Sequence, residues 1–306
     1  MEHINETPET APKTVLDEVK VFFARVFTRI ATETFVKGAA VAESLRSRSV
    51  AGVTLAEGTP ATFEQIIRVH GRDYVVAVRD GGDLAGTNGL GWDDGLYASA
   101  AASTGSLIDA VRWALVTRSI AGALSSGLHH AKRDHGAGFC TFNGLVIAAH
   151  EALAAGAKRV LILDLDAHCG GGTASLIDGV NGVEQLDISV NGYDAYPDTS
   201  NARLVMARGS NYLEIIEREL GAVVDPASID LVIYNAGMDA HEMAGGMPGI
   251  TTEVIEERER MVFAWAWTHQ IPVAFTLAGG YQWSGLTMDE LVDLHRITIE
   301  TAAAVS

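Results

Sequence analysis

The sequence predicts an α/β protein: a doubly wound, mainly parallel sheet with helices on both faces. Two observations predict it. Apolar runs of strand length recur along the chain, each followed by a stretch of helical character. Chemistry-bearing residues then gather where those runs stop, at Asp164–His168, at Asp239 and at Tyr281. Ligands in open α/β sheets collect at the carboxyl ends of strands, so the two patterns support each other. A chain of 306 residues can bury one large core, and nothing in it reads as a linker. The expected organisation is a flexible polar extension over residues 1–19 and a single domain over 20–306.

Taken in order, Lys20–Phe27 (KVFFARVF) has strand character, and Thr34–Ser47 reads as a helix with apolar Phe35, Val36, Ala39 and Leu45. Thr59-Pro60 opens a helix to Arg68, with Thr as cap and Pro as first residue. Gly81–Gly95 is a glycine-rich acidic loop, long enough for a rim or lid. Leu96–Leu124 is Ala/Ser-rich and free of proline, giving one or two packed helices. Phe142–Ala155 is a small-residue helix stopped at Gly156. Val160 begins the strand of VLILDLDAHCGGGT, and Val183–Val190 is the next strand. Helix Asn211–Leu220, strand Asp230–Asn235, helix Thr251–Gln270, strand Pro272–Leu277 and helix Leu286–Ala304 complete the chain. Trp265 and Trp267 read as core.

Asp164, Asp166 and His168 fall at alternate positions as a strand ends, so they share a face. The plain alternative is an Asp-rich turn with one hydrogen-bonded His. Asp239 adds a third ligand from another strand end. Two carboxylates and one imidazole, with positions left for water and substrate, suit a catalytic rather than a structural ion. Adjacent His129 and His130 reach one site together only from an irregular loop, and either could take a proton from water. Gly138 leaves room for close backbone approach, and Phe139 supplies an aromatic wall. Tyr281, after Gly279-Gly280, could donate its phenol to a developing oxyanion. Together these describe a hydrolase of amides or esters.

The ordered motifs GLHHA…GFCTFN, LILDLDAHCGGGT, NAGMDAH and LAGGYQ closely resemble the histone deacetylase and acetylpolyamine amidohydrolase family, from about Lys20 onward. The resemblance implies the arginase/deacetylase fold with a parallel sheet of about eight strands. It implies Zn²⁺, with Fe²⁺ as the alternative, on Asp166, His168 and Asp239. His130 becomes the general base, His129 the electrostatic member of the pair with Asp164 as its partner, and Tyr281 the transition-state tyrosine. Phe139 and Tyr196 become walls of an acyl tunnel, and Asp93 a rim aspartate, with Asp94 competing for that place. A structural K⁺ is implied on the Asp164–His168 strand with Ser189 beside it. The activity implied is removal of an acetyl or other short acyl group from an amine such as acetyl-lysine or an acetylpolyamine.

The chain departs from the family pattern twice. Cys169 replaces the second His of the Asp-x-His-His-Gly run, and Gly171 stands where an Asp or Asn usually orients the general base. That orienting role could pass to another group such as the acidic loop. Gly171 also keeps open a non-catalytic acyl-ligand binder, while a two-manganese ureohydrolase would need ligands the chain lacks there. Cys169 and Cys140 read as packed thiols, and His70 as structural or surface. His241 and Glu242 read as turn residues.

The formal net charge of −17 argues against a nucleic-acid or anionic-membrane partner held by a basic face. Two cysteines at no disulfide-like spacing, no long apolar run, and a start too polar for a signal peptide make the cytoplasm the expected compartment. A small acyl-amine is the expected partner, and a homo-oligomer is compatible with the sequence.

Overall fold

The structure, a computed structural model, describes residues 18–25, 33–125 and 128–306. The extension predicted over residues 1–19 lies outside these up to residue 17. The architecture expected is the one observed: one eight-stranded sheet, all parallel, with helices on both faces. The strands are β1 (Val19–Phe23), β2 (Val53–Glu57), β3 (Ile120–Ala123), β4 (Val160–Asp164), β5 (Val183–Ser189), β6 (Ala202–Met206), β7 (Leu231–Ala236) and β8 (Val273–Leu277), in the order β2-β1-β3-β8-β7-β4-β5-β6. The chain lays down both flanks first and fills the gap between β3 and β4 last. The loops after β3, β8, β7 and β4 therefore emerge side by side at one edge.

The central strands are mainly apolar and buried along their length because both faces are covered. In β4, Leu161 and Leu163 pack into one core while Val160 and Ile162 pack into the other. The first core lies under α1 (Glu33–Ser47), α7 (Tyr212–Gly221), α8 (Thr252–Thr268) and α9 (Met288–Val305). The second lies under α2 (Phe63–Ile67), α3 (Arg72–Asp80), α4 (Leu96–Thr117), α5 (Gly144–Ala154) and α6 (Gly171–Ile177).

Several elements differ from expectation. The helix expected from Thr59 begins at Phe63, because Thr62 and Gln65 form a reciprocal capping box. Thr59 instead donates its backbone N–H to Asp109, at 2.7 Å. The helical stretch expected to run to Leu124 stops at Thr117, where Arg118 takes a left-handed conformation with φ +56°. Ile120–Ala123 is then a buried central strand, one that its small side chains disguise as helix. Strands β2 and β6 occupy the sheet's edges and were not anticipated. Trp267 is 63% exposed rather than core.

One buried cation binds the sheet edge together. Arg258 on α8 is fully buried and donates to the carbonyls of Gly237 (2.7 Å) and Leu165 (3.3 Å), on the loops after β7 and β4. Its charge is met by Glu259, which also accepts from the Tyr234 hydroxyl at 2.9 Å.

Candidate active site

The first three groups come from two neighbouring strands. β4 ends at Asp164, and the chain then bends through Asp166 and Ala167, which leaves Asp166 and His168 in reach of one another. Asp239 arrives from the loop after β7. The ligand atoms of Asp166, His168 and Asp239 lie within 4.8 Å of one another. His168 Nδ1 is 3.0 Å from Asp239 and 3.3 Å from Asp166. Backbone donors fix the carboxylates: Ala167 N–H donates to Asp239 at 2.9 Å, and Gly279 N–H donates to Asp166 at 2.9 Å. Burial lowers the pKa of the His168 imidazole, but the two carboxylates raise it further, to about 10. Two carboxylates and an imidazole whose donor atoms converge this closely are a set that a divalent cation could bridge. The donor set therefore fits the ion the sequence implies.

His129 and His130 stand beside this trio with ring centroids 4.0 Å apart. His129 Nδ1 donates to Asp164 at 2.9 Å, while Asn235 donates to the other Asp164 oxygen at 2.8 Å. Burial depresses His129, yet Asp164 and Asp166 outweigh it and raise its pKa to about 10. His130 goes the other way. Burial, then the charge on His129, push it down to about 4, so its ring is neutral near pH 7. The pair thus holds one cationic and one neutral imidazole.

His70 secures the loop carrying this pair. Its Nδ1 donates to the Lys132 carbonyl at 2.8 Å, and its Nε2 accepts the Asn143 N–H at 2.8 Å. Asn143 in turn donates to the His129 carbonyl at 3.3 Å and caps α5. Burial pushes His70 down to about 4. The unfolded chain takes up this proton from about pH 6.5 downward while the folded chain does not. Stability is then lost as pH falls from 6.5 to 4, by on the order of 3 kcal/mol from this residue. Urea melts of His70→Gln against pH should show a flatter acid limb by that amount. An unchanged limb would contradict the assignment.

The histone deacetylase domain model matches residues 32–292. The chain belongs to the histone deacetylase family. An uncharacterized protein of Picosynechococcus sp. is 32% identical over 70% of this chain and 74% of its own length. Histone deacetylase 2 of Arabidopsis thaliana is 30% identical over 56% of this chain, which spans about half (48%) of that relative's length. The crystal structure of the HDA15 HD domain superposes with a TM-score of 0.72 at 20% identity, over 94% of this chain and 90% of that one, a likeness of fold.

The remaining residues predicted from the family divide. Tyr281, on the loop after β8, stacks on Trp283 at 5.5 Å and meets Phe139 edge-on at 6.2 Å. Lys37, fully buried on α1, donates to the carbonyls of Ala278 and Gly280 and lies 5.4 Å from the Tyr281 ring. A Cβ at Gly138 would fall 2.3 Å from the His130 ring, so only glycine lets that backbone pass. Phe139 follows with φ +64° and stands 41% exposed. Tyr196 is not a tunnel wall: its ring packs against the second core and its hydroxyl is buried beside Asp187. Tyr193 is the aromatic that faces the site instead, edge-on to His130 at 4.9 Å and to His168 at 6.1 Å. The segment after β5 has no period to phase its aromatics, which is why three residues separate prediction from structure. Asp93 is turned inward, its carboxylate accepting the Gly95 N–H at 2.7 Å at the start of α4, while Asp83 and Asp94 of that loop are exposed.

Ser189 donates to buried Asp187 at 2.5 Å, on the strand beside β4. Cys169 turns away from the trio, toward the Asn191 carbonyl and Met206, and Cys140 toward the Gly138 carbonyl. His241 steadies its own turn, accepting from the Met243 N–H at 3.1 Å. Sequence reasoning missed Asp194, whose carboxylate lies 3.1 Å from His130 Nδ1 and 2.9 Å from Lys132 Nζ. Gly171 was the signal, since it announced a missing carboxylate. The acidic loop named as its replacement is not the source.

Proposed function

We propose that the protein is a zinc-dependent amidohydrolase that removes an acetyl or other short acyl group from an amine, acetyl-lysine and acetylpolyamines being the substrate class. Fe²⁺ is the alternative ion. One observation carries the reading: a three-ligand set of two carboxylates and an imidazole stands beside a pair of histidines, each with a carboxylate at its Nδ1, and a tyrosine lies on the loop of the adjacent strand. Asp166, His168 and Asp239 would hold the ion, which when bound supplies a water of lowered pKa and polarises the acyl oxygen. His130, neutral, accepts the proton from the attacking water and returns it to the leaving amine. His129, kept cationic by Asp164, adds positive charge beside the reacting centre. Tyr281 donates its hydroxyl to the oxygen that gains charge. Phe139 and Tyr193, both partly exposed, flank the approach and suit a narrow aliphatic chain ending in the amide.

Ser189, on β5 beside β4, is in keeping with the K⁺ reading. Among the described residues, one such ligand group is close enough to hold an ion, which favours one zinc per chain over a two-manganese ureohydrolase. No helix of the described residues is long and apolar enough to cross a membrane. Both cysteines are buried thiols, in keeping with the cytoplasm as the working compartment. The deciding assay follows acetate release from an acetyl-lysine peptide and from an acetylated polyamine. Turnover of either supports the proposal; none from the zinc-loaded protein defeats it.

A further inference from the structure

We infer that Asp194 is the positioning carboxylate of His130, and that residue 171 is glycine so that Asp194 can reach it. The inference rests on reading His130 as the general base. A Cβ built on Gly171 would lie 2.2 Å from the Asp194 carbonyl oxygen and 2.7 Å from its Oδ1. The space a side chain at 171 would fill is the space Asp194 fills. The carboxylate that usually comes from the start of α6 comes here from the segment after β5.

Three donors hold Asp194 in place. His130 Nδ1 and the Gly172 N–H each stand 3.1 Å from Oδ2, and Lys132 Nζ stands 2.9 Å from Oδ1. Its backbone adopts φ +59°, a left-handed conformation that Asp tolerates better than most residues. The Asp194 side chain is 12% exposed and that of Lys132 35%, so the ion pair is partly shielded from solvent. His130 is thereby matched to His129, whose Nδ1 faces Asp164. A carboxylate at Nδ1 fixes the ring's orientation and its tautomer, keeping the proton on Nδ1 and Nε2 bare to receive another. Asp194 touches no reacting atom; it acts through His130. Its neighbour Tyr193 lies edge-on to the same ring, so one segment both aims the base and walls the approach.

The test combines kinetics with ¹⁵N spectroscopy of the histidine rings, both on the zinc-loaded full chain at one pH. Asp194→Ala should lower kcat by about 10–100-fold. KM should stay within about twofold and zinc content should not change, because the lost group orients the base rather than binding substrate. Asp194→Asn, whose amide oxygen still accepts from Nδ1, should recover part of the loss. Gly171→Ala should match Asp194→Ala, and the double variant should fall no further, since both remove one contact. In the spectra, the His130 signals should show Nδ1 protonated in the wild type and a mixture of tautomers in Asp194→Ala. Wild-type kcat in Asp194→Ala, additive losses in the double variant, or an unchanged His130 tautomer would each overturn the inference. If the wild type hydrolyses no acylated amine, the proposed activity fails by itself, and the spectra still decide whether Asp194 sets the His130 tautomer.

Discussion

Asp239→Asn should abolish hydrolysis while leaving the fold intact. The amide is the same size as the carboxylate and its oxygen can still accept the Ala167 N–H. What is lost is a charged ligand from a set of three, and with it tight zinc binding. If the ion contributes about 4 kcal/mol to the transition state, activity should fall by about 10³-fold or more. Stability separates this from general damage. Burial and the neighbouring Asp166 carboxylate both raise the Asp239 pKa, so the folded chain carries a charge it would rather not hold. Without zinc, the variant should melt no lower than the wild type. With zinc, only the wild type should gain stability, by the usual linkage to free ligand. A variant that still gains stability from zinc would place the ion elsewhere.

Tyr281→Phe is the second large effect, and it separates packing from chemistry. The Tyr281 ring is held by Trp283, Phe139 and the Lys37 ammonium, contacts a phenyl ring keeps. Only the hydroxyl goes. One preorganised donor to a developing oxyanion supports about 10²–10³-fold in kcat. KM should move little, because the donor works on the transition state rather than on bound substrate. Zinc content should be unchanged. Full activity in the variant would remove Tyr281 from the reaction and leave it as part of the wall.

The parts of this molecule that were legible in its sequence are those whose physics is local. The cores of β4, β7 and β8 announce themselves because strands covered on both faces must be apolar, and the residues after them are polar only where chemistry gathers. Asp166, His168 and Asp239 followed from that rule and meet as expected. What was hidden depends on distant context. Ile120–Ala123 is a central strand whose small residues merge into the Ala-rich helix before it. β2 and β6 are edge strands with half-exposed patterns and little apolar signature. Asp194 lies 64 residues from His130 and reaches it only through the gap left by a missing side chain at Gly171. No spacing rule carries that information. His70 looked unremarkable in sequence and proves to be a buried clamp on the His129–His130 loop, since its two nitrogens meet partners 62 and 73 residues away.

The most direct measurement is a zinc titration of the chelated protein, following acetate release from an acetylated amine together with bound metal. The one ligand group found among the described residues predicts activity that is absent after chelation and rises linearly to a plateau at one zinc per chain. Activity that survives chelation, or a plateau reached only at two ions, would contradict it.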